Sequence, residues 1–156
     1  MTAHFPHQQY KGRLMSNLPT LRKGFTLIEL MVVVAIIGIL MAAGILAFTN
    51  AQQNARDARR RADIDAISKA MEQYYQNNSY SYPASNSAIA TFFPSGSVPT
   101  DPQGAAYTVS YGTNTFCACG TLEKTGKGNS TTAGAGGACA YGTGASANYF
   151  CASQRQ

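Results

Sequence analysis

One stretch constrains this chain more than any other: FTLIELMVVVAIIGILMAAGILAF, 24 residues from Phe25 to Phe48 with a single charge, Glu29. Wound as an α-helix at about 1.5 Å per residue it is about 36 Å long, enough to cross the hydrocarbon core of a bilayer. An ordinary secretory signal fits poorly. Its apolar region is about 7 to 15 residues, whereas the uncharged part here runs from Leu30 to Phe48. Residues 1–24 contain Lys11, Arg13, Arg22 and Lys23, no acid, and Pro6, Gly12 and Pro19, the composition of a basic, unstructured leader. Basic residues ahead of a span place the N-terminus in the cytoplasm and the C-terminus outside.

The 156 residues are one domain's worth. Only 12% are charged, about half the usual share of a soluble domain, while 45% are hydrophobic. The formal charge of +5 invites a polyanion as partner, but four of the 12 Lys and Arg lie in the leader, which leaves 8 against 7 acidic residues. Both histidines, His4 and His7, precede the span, so loss of the leader removes Ser-His, Cys-His and His-metal chemistry. No cofactor and no catalytic residue is assigned.

Glu29 is the odd residue of the span. A carboxylate well inside a membrane helix costs on the order of 3 kcal/mol, and less near the interface. A cut after Gly24 would create an ammonium on Phe25 one helical turn away, in the same chain or a neighbour. Alternatively Glu29 snorkels and favours the helix N-terminus by about 0.3 to 1 kcal/mol.

Lys23-Gly24-Phe25-Thr26-Leu27-Ile28-Glu29-Leu30 resembles the class III signal of type IV prepilins and type II secretion pseudopilins. The resemblance implies a prepilin peptidase that cleaves between Gly24 and Phe25 and methylates the Phe25 amine. It also implies that Glu29 pairs with the N-terminus of an adjacent subunit during assembly. Many members carry a proline about twenty residues into the mature chain; here none lies between Pro19 and Pro83. Gly38 and Gly44 could weaken the helix instead, each by roughly 1 kcal/mol relative to Ala. Gly38-x-x-x-Ala42 and Ala43-x-x-x-Ala47 are spacings that let helices pack closely. Translation from Met15 would give a shorter leader, and the sequence leaves both starts open.

Residues 49–78 read as a helical stalk continuous with the span. Ile64, Ile67, Met71 and Tyr74 form one apolar face, and Asp57–Arg61, Arg61–Asp65 and Asp65–Lys69 are spaced as i,i+4 pairs. From Phe25 to Asn77 such a helix is about 80 Å long, too long for one small head to bury. Arg56, Arg59, Arg60 and Arg61 are the basic cluster of the mature chain. We read it first as a solvated, acid-paired face, then as a source of inter-subunit salt bridges, and last as a phosphate stripe, because the interleaved Asp57, Asp63 and Asp65 lower the local potential.

Residues 79–156 read as the head. EQYYQNNSYSYP resembles the helix end and following loop of secretion-type pilins. Val98–Tyr107 resembles the Pro-Asp-Pro segment of the major pseudopilin, or is simply a Pro/Gly-rich loop. Residues 87–93 read as a short helical turn. Strands are predicted at 107–111, 115–123 and 148–152, with Gly112-Thr113-Asn114 as a hairpin loop and Thr125–Gly144 as a flexible surface loop. Cys117 and Cys119 face the same side of a strand, so a bond between them is strained; bonds to Cys139 and Cys151 leave two connectivities open. A zinc site is weakly supported by the tight C-x-C spacing. Major pseudopilins often hold calcium through head aspartates, but beyond residue 100 only Asp101 and Glu123 are available, and no metal is assigned.

The fold expected is α+β and pilin-like: a long N-terminal α-helix, its lower half spanning the membrane, carrying a disulfide-stapled head with a small antiparallel sheet. The expected function is a structural subunit of a type IV pilus-like filament. Alternatives are a periplasmic type II secretion pseudopilus subunit and a DNA-uptake pilin. Partners implied are other copies of the chain, the prepilin peptidase, an inner-membrane assembly platform and the membrane itself, with nucleic acid disfavoured. The chain is expected in the inner membrane before assembly and in an extracellular pilus, or the pseudopilus, afterwards.

Overall fold

A computed structural model describes residues 24–154. The leader's Lys11, Arg13, Arg22 and Lys23 and the alternative start Met15 lie outside the described residues. The chain divides into two compact units between Leu40 and Met41.

Helix α1, Leu27–Asn77, is a single α-helix of 51 residues that runs without interruption through Gly38 and Gly44. It has no proline to remove a backbone donor, and its residues beyond Phe48 are rich in good helix formers. In the first unit every apolar side chain of α1 is exposed, from Phe25 at 88% to Ile37 at 45%. A helix apolar all round has no solvated face to offer water, so lipid or other helices must cover it.

In the second unit Ile64, Ile67 and Met71 are fully buried and Tyr74 is partly so, the face that the three- and four-residue spacing predicts. Asn78 Nδ2 returns to the Tyr74 carbonyl at 2.9 Å, and Ser79 and Tyr80 both adopt positive φ, 54° and 58°. Left-handed backbone costs roughly 1–2 kcal/mol per non-glycine residue. Aromatic packing offsets it here: Tyr75 meets Tyr80 edge-on at 5.5 Å and stacks on Tyr82 at 4.6 Å, and Tyr82 meets Phe116 at 5.0 Å. A 3-10 turn, Asn86–Phe92, buries Ile89 against this core.

The sheet has order β1-β2-β3, antiparallel throughout: β1 Thr108–Tyr111, β2 Phe116–Thr121 and β3 Tyr149–Ser153. Tyr111 pairs with Phe116 across a turn closed by Gly112 N–H donating to the Thr115 carbonyl at 2.9 Å. Strand β2 is buried on both faces from Phe116 to Gly120. Phe116 and Ala118 belong to the core around α1, and a Cβ on Gly120 would lie 3.2 Å from the Tyr107 ring and 3.4 Å from Ile64 Cγ1. Glycine there lets helix and sheet approach closely.

The opposite face of β2 is covered by the segment expected to be a flexible surface loop, and that expectation is corrected. Ser130 is fully buried, its Oγ donating to the Thr132 and Ala140 carbonyls at 2.8 and 2.7 Å. Asn129 clamps the backbone of Cys151, Nδ2 to its carbonyl at 2.9 Å and Oδ1 from its N–H at 2.7 Å. Low-complexity composition predicts flexibility only when nothing pairs the backbone; here β3 and the disulfides do.

Candidate functional site

The predicted site residues fall in three places. Gly24 and Phe25 lie just ahead of α1 and are exposed, and Glu29 is in its first turn. Thr26 N–H and Oγ1 both donate to Glu29 Oε2 at 2.9 Å, and Glu29 N–H donates back to Thr26 Oγ1 at 3.3 Å. This reciprocal pair is a capping box, which satisfies donors that the first helical turn leaves unpaired. It gives Glu29 a partner within its own chain. The signal was present as Thr-x-x-Glu before an apolar run, and reading Glu29 only as an ion-pair partner missed it. Gly38, Ala42 and Gly44 lie along the exposed apolar length of α1, and nothing approaches a Cβ built on either glycine within 4 Å.

In the head, Cys117 is bonded to Cys139 and Cys119 to Cys151. Cys119 and Cys151 are direct cross-strand neighbours, while Cys139 brings the covering segment down onto Cys117. The sequence separations of 22 and 32 residues correspond to roughly 3.5 kcal/mol each from chain constraint. All four sulfurs are committed in disulfides, so no thiolate is left to ligate zinc.

The arginine cluster is not a solvated face. Arg60 is 2% exposed, and its guanidinium gathers three carboxylates from three segments. Nη1 donates to Asp57 Oδ1 and Glu123 Oε1, both at 2.8 Å. Nε and Nη2 clasp Asp101, the latter at 3.1 Å, and Nη2 also reaches Gln103 Oε1 at 3.2 Å. Arg56 grips both Glu123 oxygens at 2.6 Å. Asp57 completes the network by accepting the Glu123 and Lys124 N–H groups at 2.9 and 3.1 Å.

The expected Asp57–Arg61, Arg61–Asp65 and Asp65–Lys69 pairs do not form within 4.0 Å among the described residues; the helical pairs are Arg60–Asp57 and Arg59–Asp63. Local spacing lost to tertiary partners, because a desolvated guanidinium requires several acceptors at once.

The electrostatics follow from this network. Hydrogen bonds from Arg56, then Arg60, hold the Glu123 carboxyl at about 2, and Arg60 holds Asp101 below its ordinary value. Glu123 raises the pKa of Arg56, and Asp101, more than Glu123 or Asp57, raises that of Arg60. Burial, and then the hydrogen bond to Asp63 at 2.8 Å, pushes the Tyr107 phenol up; burial alone pushes Tyr111 to about 12. Asp101 and Glu123, the only head carboxylates beyond residue 100, are thus occupied by guanidinium groups.

Comparison with known proteins places these features in context. The prokaryotic N-terminal methylation motif matches residues 20–45. The chain is 35% identical to the type IV major pilin protein PilE1 of Neisseria gonorrhoeae over 85 residues, which is 54% of this chain and 48% of that protein. It is 31% identical over 102 residues to the type II secretion system core protein G of Pseudomonas aeruginosa, covering 55% of this chain and 71% of the relative. The corresponding Escherichia coli protein is 30% identical over 86 residues, 55% of this chain and 57% of the relative. The chain spans about half the length of the major pilins it matches. No solved structure matches it.

Proposed function

Because this chain belongs to the type IV pilin and type II secretion pseudopilin family, we propose that it is a structural subunit of a type IV pilus. The observation that carries the reading is α1: a helix long and apolar enough to cross a membrane, uncovered on all sides over residues 27–48, and begun by a capped carboxylate. Such a helix is stable in lipid, and withdrawing it is tolerable only where other helices take over its apolar surface.

In this proposal a prepilin peptidase cuts between Gly24 and Phe25 and methylates the new Phe25 amine. The helix then leaves the inner membrane through an assembly platform and packs against other copies, closely at Gly38, Ala42 and Gly44. Glu29 exchanges its bonds to Thr26 for a neighbour's N-terminal ammonium, a stronger, charge-assisted partner in a dry bundle. The subunit performs no catalysis. The leader, assembly helix, stalk and head divide at about residues 24, 48 and 78.

The double-faced, disulfide-stapled head with few charges suits a fibre exposed outside the cell. The 71% coverage of the P. aeruginosa protein favours a second reading, a periplasmic pseudopilus. Electron microscopy and immunodetection of material sheared from cells separates the two, since absence from external fibres counts against the pilus. Mass and N-terminal analysis of the mature protein tests the premise of both: a start other than N-methylated Phe25 overturns it.

A further inference from the structure

Beside the arginine network lies an open cleft of about 260 Å³, lined by Asn54, Asp57, Ala58, Arg61, Lys124 and Lys127. Its one acid, Asp57, is fully engaged by Arg60 and by two backbone N–H groups. Arg61 is fixed in place: Nη2 donates to the Lys127 carbonyl at 2.7 Å, the guanidinium carbon lies 5.7 Å from the Phe150 ring centroid, and Nε is buried without a partner. Among the described residues, none of the ion pairs within 4.0 Å involves Arg61, Lys124 or Lys127. Arg56, Arg60, Arg61, Lys124 and Lys127 set five cations against the carboxylates of Asp57, Asp101 and Glu123, and the surplus falls on this cleft.

Its position along α1 says what the surplus faces. Asn54 is six residues past Phe48, the end of the apolar run, and a helical Arg61 leans back toward the N-terminus. At about 1.5 Å per residue, the cleft begins about 10 Å beyond the hydrocarbon edge and extends to about 15–20 Å. The headgroup layer fills roughly the first 5–7 Å of that distance, and the flexible stems of the two lysines can reach toward it.

We propose that this cleft binds the phosphate of an anionic phospholipid, in the leaflet on the head's side, while the chain is anchored in the membrane before assembly. The inference rests on the membrane-anchored reading above. A compact cleft with three convergent cations fits one phosphate group. A long polyanion tracking α1 would instead meet Asp63 and Asp65. The bound lipid would hold the head down until assembly withdraws the helix.

The test is native mass spectrometry of the full chain released from micelles doped with equal phosphatidylglycerol and phosphatidylcholine. Wild type is compared with Lys124→Gln/Lys127→Gln; leader lysines and arginines are the same in both and cancel. The wild type should retain phosphatidylglycerol preferentially, and the preference should fall about fivefold per lysine removed, the factor for one basic residue at an anionic surface. Equal retention of phosphatidylglycerol by the two chains overturns the proposal, as does a wild type without preference. Displacement of the lipid by millimolar inorganic phosphate or by a short DNA duplex reassigns the cleft to that anion and also overturns it. Incorporation of both chains into neutral vesicles keeps the anchoring reading separate from these outcomes.

Discussion

Replacing Arg60 by Met removes the one cation that three head segments share while keeping most of its buried volume. Two unit charges about 4 Å apart at an effective dielectric of about 20 attract by about 4 kcal/mol, and removing one partner of a buried pair costs about 3–5 kcal/mol. The geometry selects the lower end. Glu123 keeps both contacts to Arg56, and Asp57 keeps two backbone donors. Asp101 keeps only the Gln103 N–H at 2.8 Å among its hydrogen bonds. About 3 kcal/mol is therefore expected, a fall of about 12–24 °C in the melting temperature of a domain of this size.

Arg59→Met is the internal control. It is the adjacent residue of the same helix, but its side chain is 67% exposed and meets Asp63 only at 3.8 Å, so it should lose under about 1 kcal/mol. Both variants can be followed by near-UV circular dichroism of the tyrosines, since the chain has 9 Tyr and no Trp. The Arg60→Met deficit should also shrink as pH falls toward 4, because the stranded carboxylates take up protons in the folded state. Equal losses in the two variants, or a gap that does not change with pH, would refute the buried-network argument.

Three further outcomes follow from the same geometry. Glu123 and Asp101 have folded pKa values below their ordinary 4.5 and 3.8, so they stabilise the head above those values and lose that contribution as pH falls toward 2; urea midpoints should drop most between pH 4.5 and 2, and a flat profile would contradict this. Cys119→Ser/Cys151→Ser should cost about 3–4 kcal/mol in non-reducing denaturation while leaving Cys117–Cys139 intact; a loss under about 1 kcal/mol would mean the Cys119–Cys151 bond constrains little. A Cβ on Gly128 would lie 2.1 Å from the Tyr149 carbonyl oxygen, whereas one on Gly142 meets only the Thr131 methyl at 3.2 Å. Gly128→Ala should therefore lower stability by about 2–3 kcal/mol and exceed Gly142→Ala, with thermal melts of the two variants as the check.

What the sequence determined by itself is what depends on near neighbours. Hydropathy over Phe25–Phe48 and the spacing of Ile64, Ile67 and Met71 are sums over adjacent turns of one helix, so the span, the buried face and the end near Asn77 were legible before any contact was known. The strands were legible for the same reason, and the structure trims the central one to Phe116–Thr121.

Even the capping box was written in Thr26 and Glu29, four residues inclusive, and needed only to be read. What tertiary structure decided is who meets whom across the chain. Arg56 and Glu123 are 67 residues apart, and Arg60 and Asp101 are 41 apart. No local periodicity carries such a pairing, so the arginines looked like a solvated stripe. The choice between two disulfide connectivities likewise waited on the register that sets Cys119 opposite Cys151. The glycine-rich segment became the second cover of β2 only because Asn129, Ser130 and Cys139 found partners on or beside β3 and β2. Burial is a property of the closed chain: it turns exposed charges into a network that must be fully satisfied, and a low-complexity loop into a packed layer.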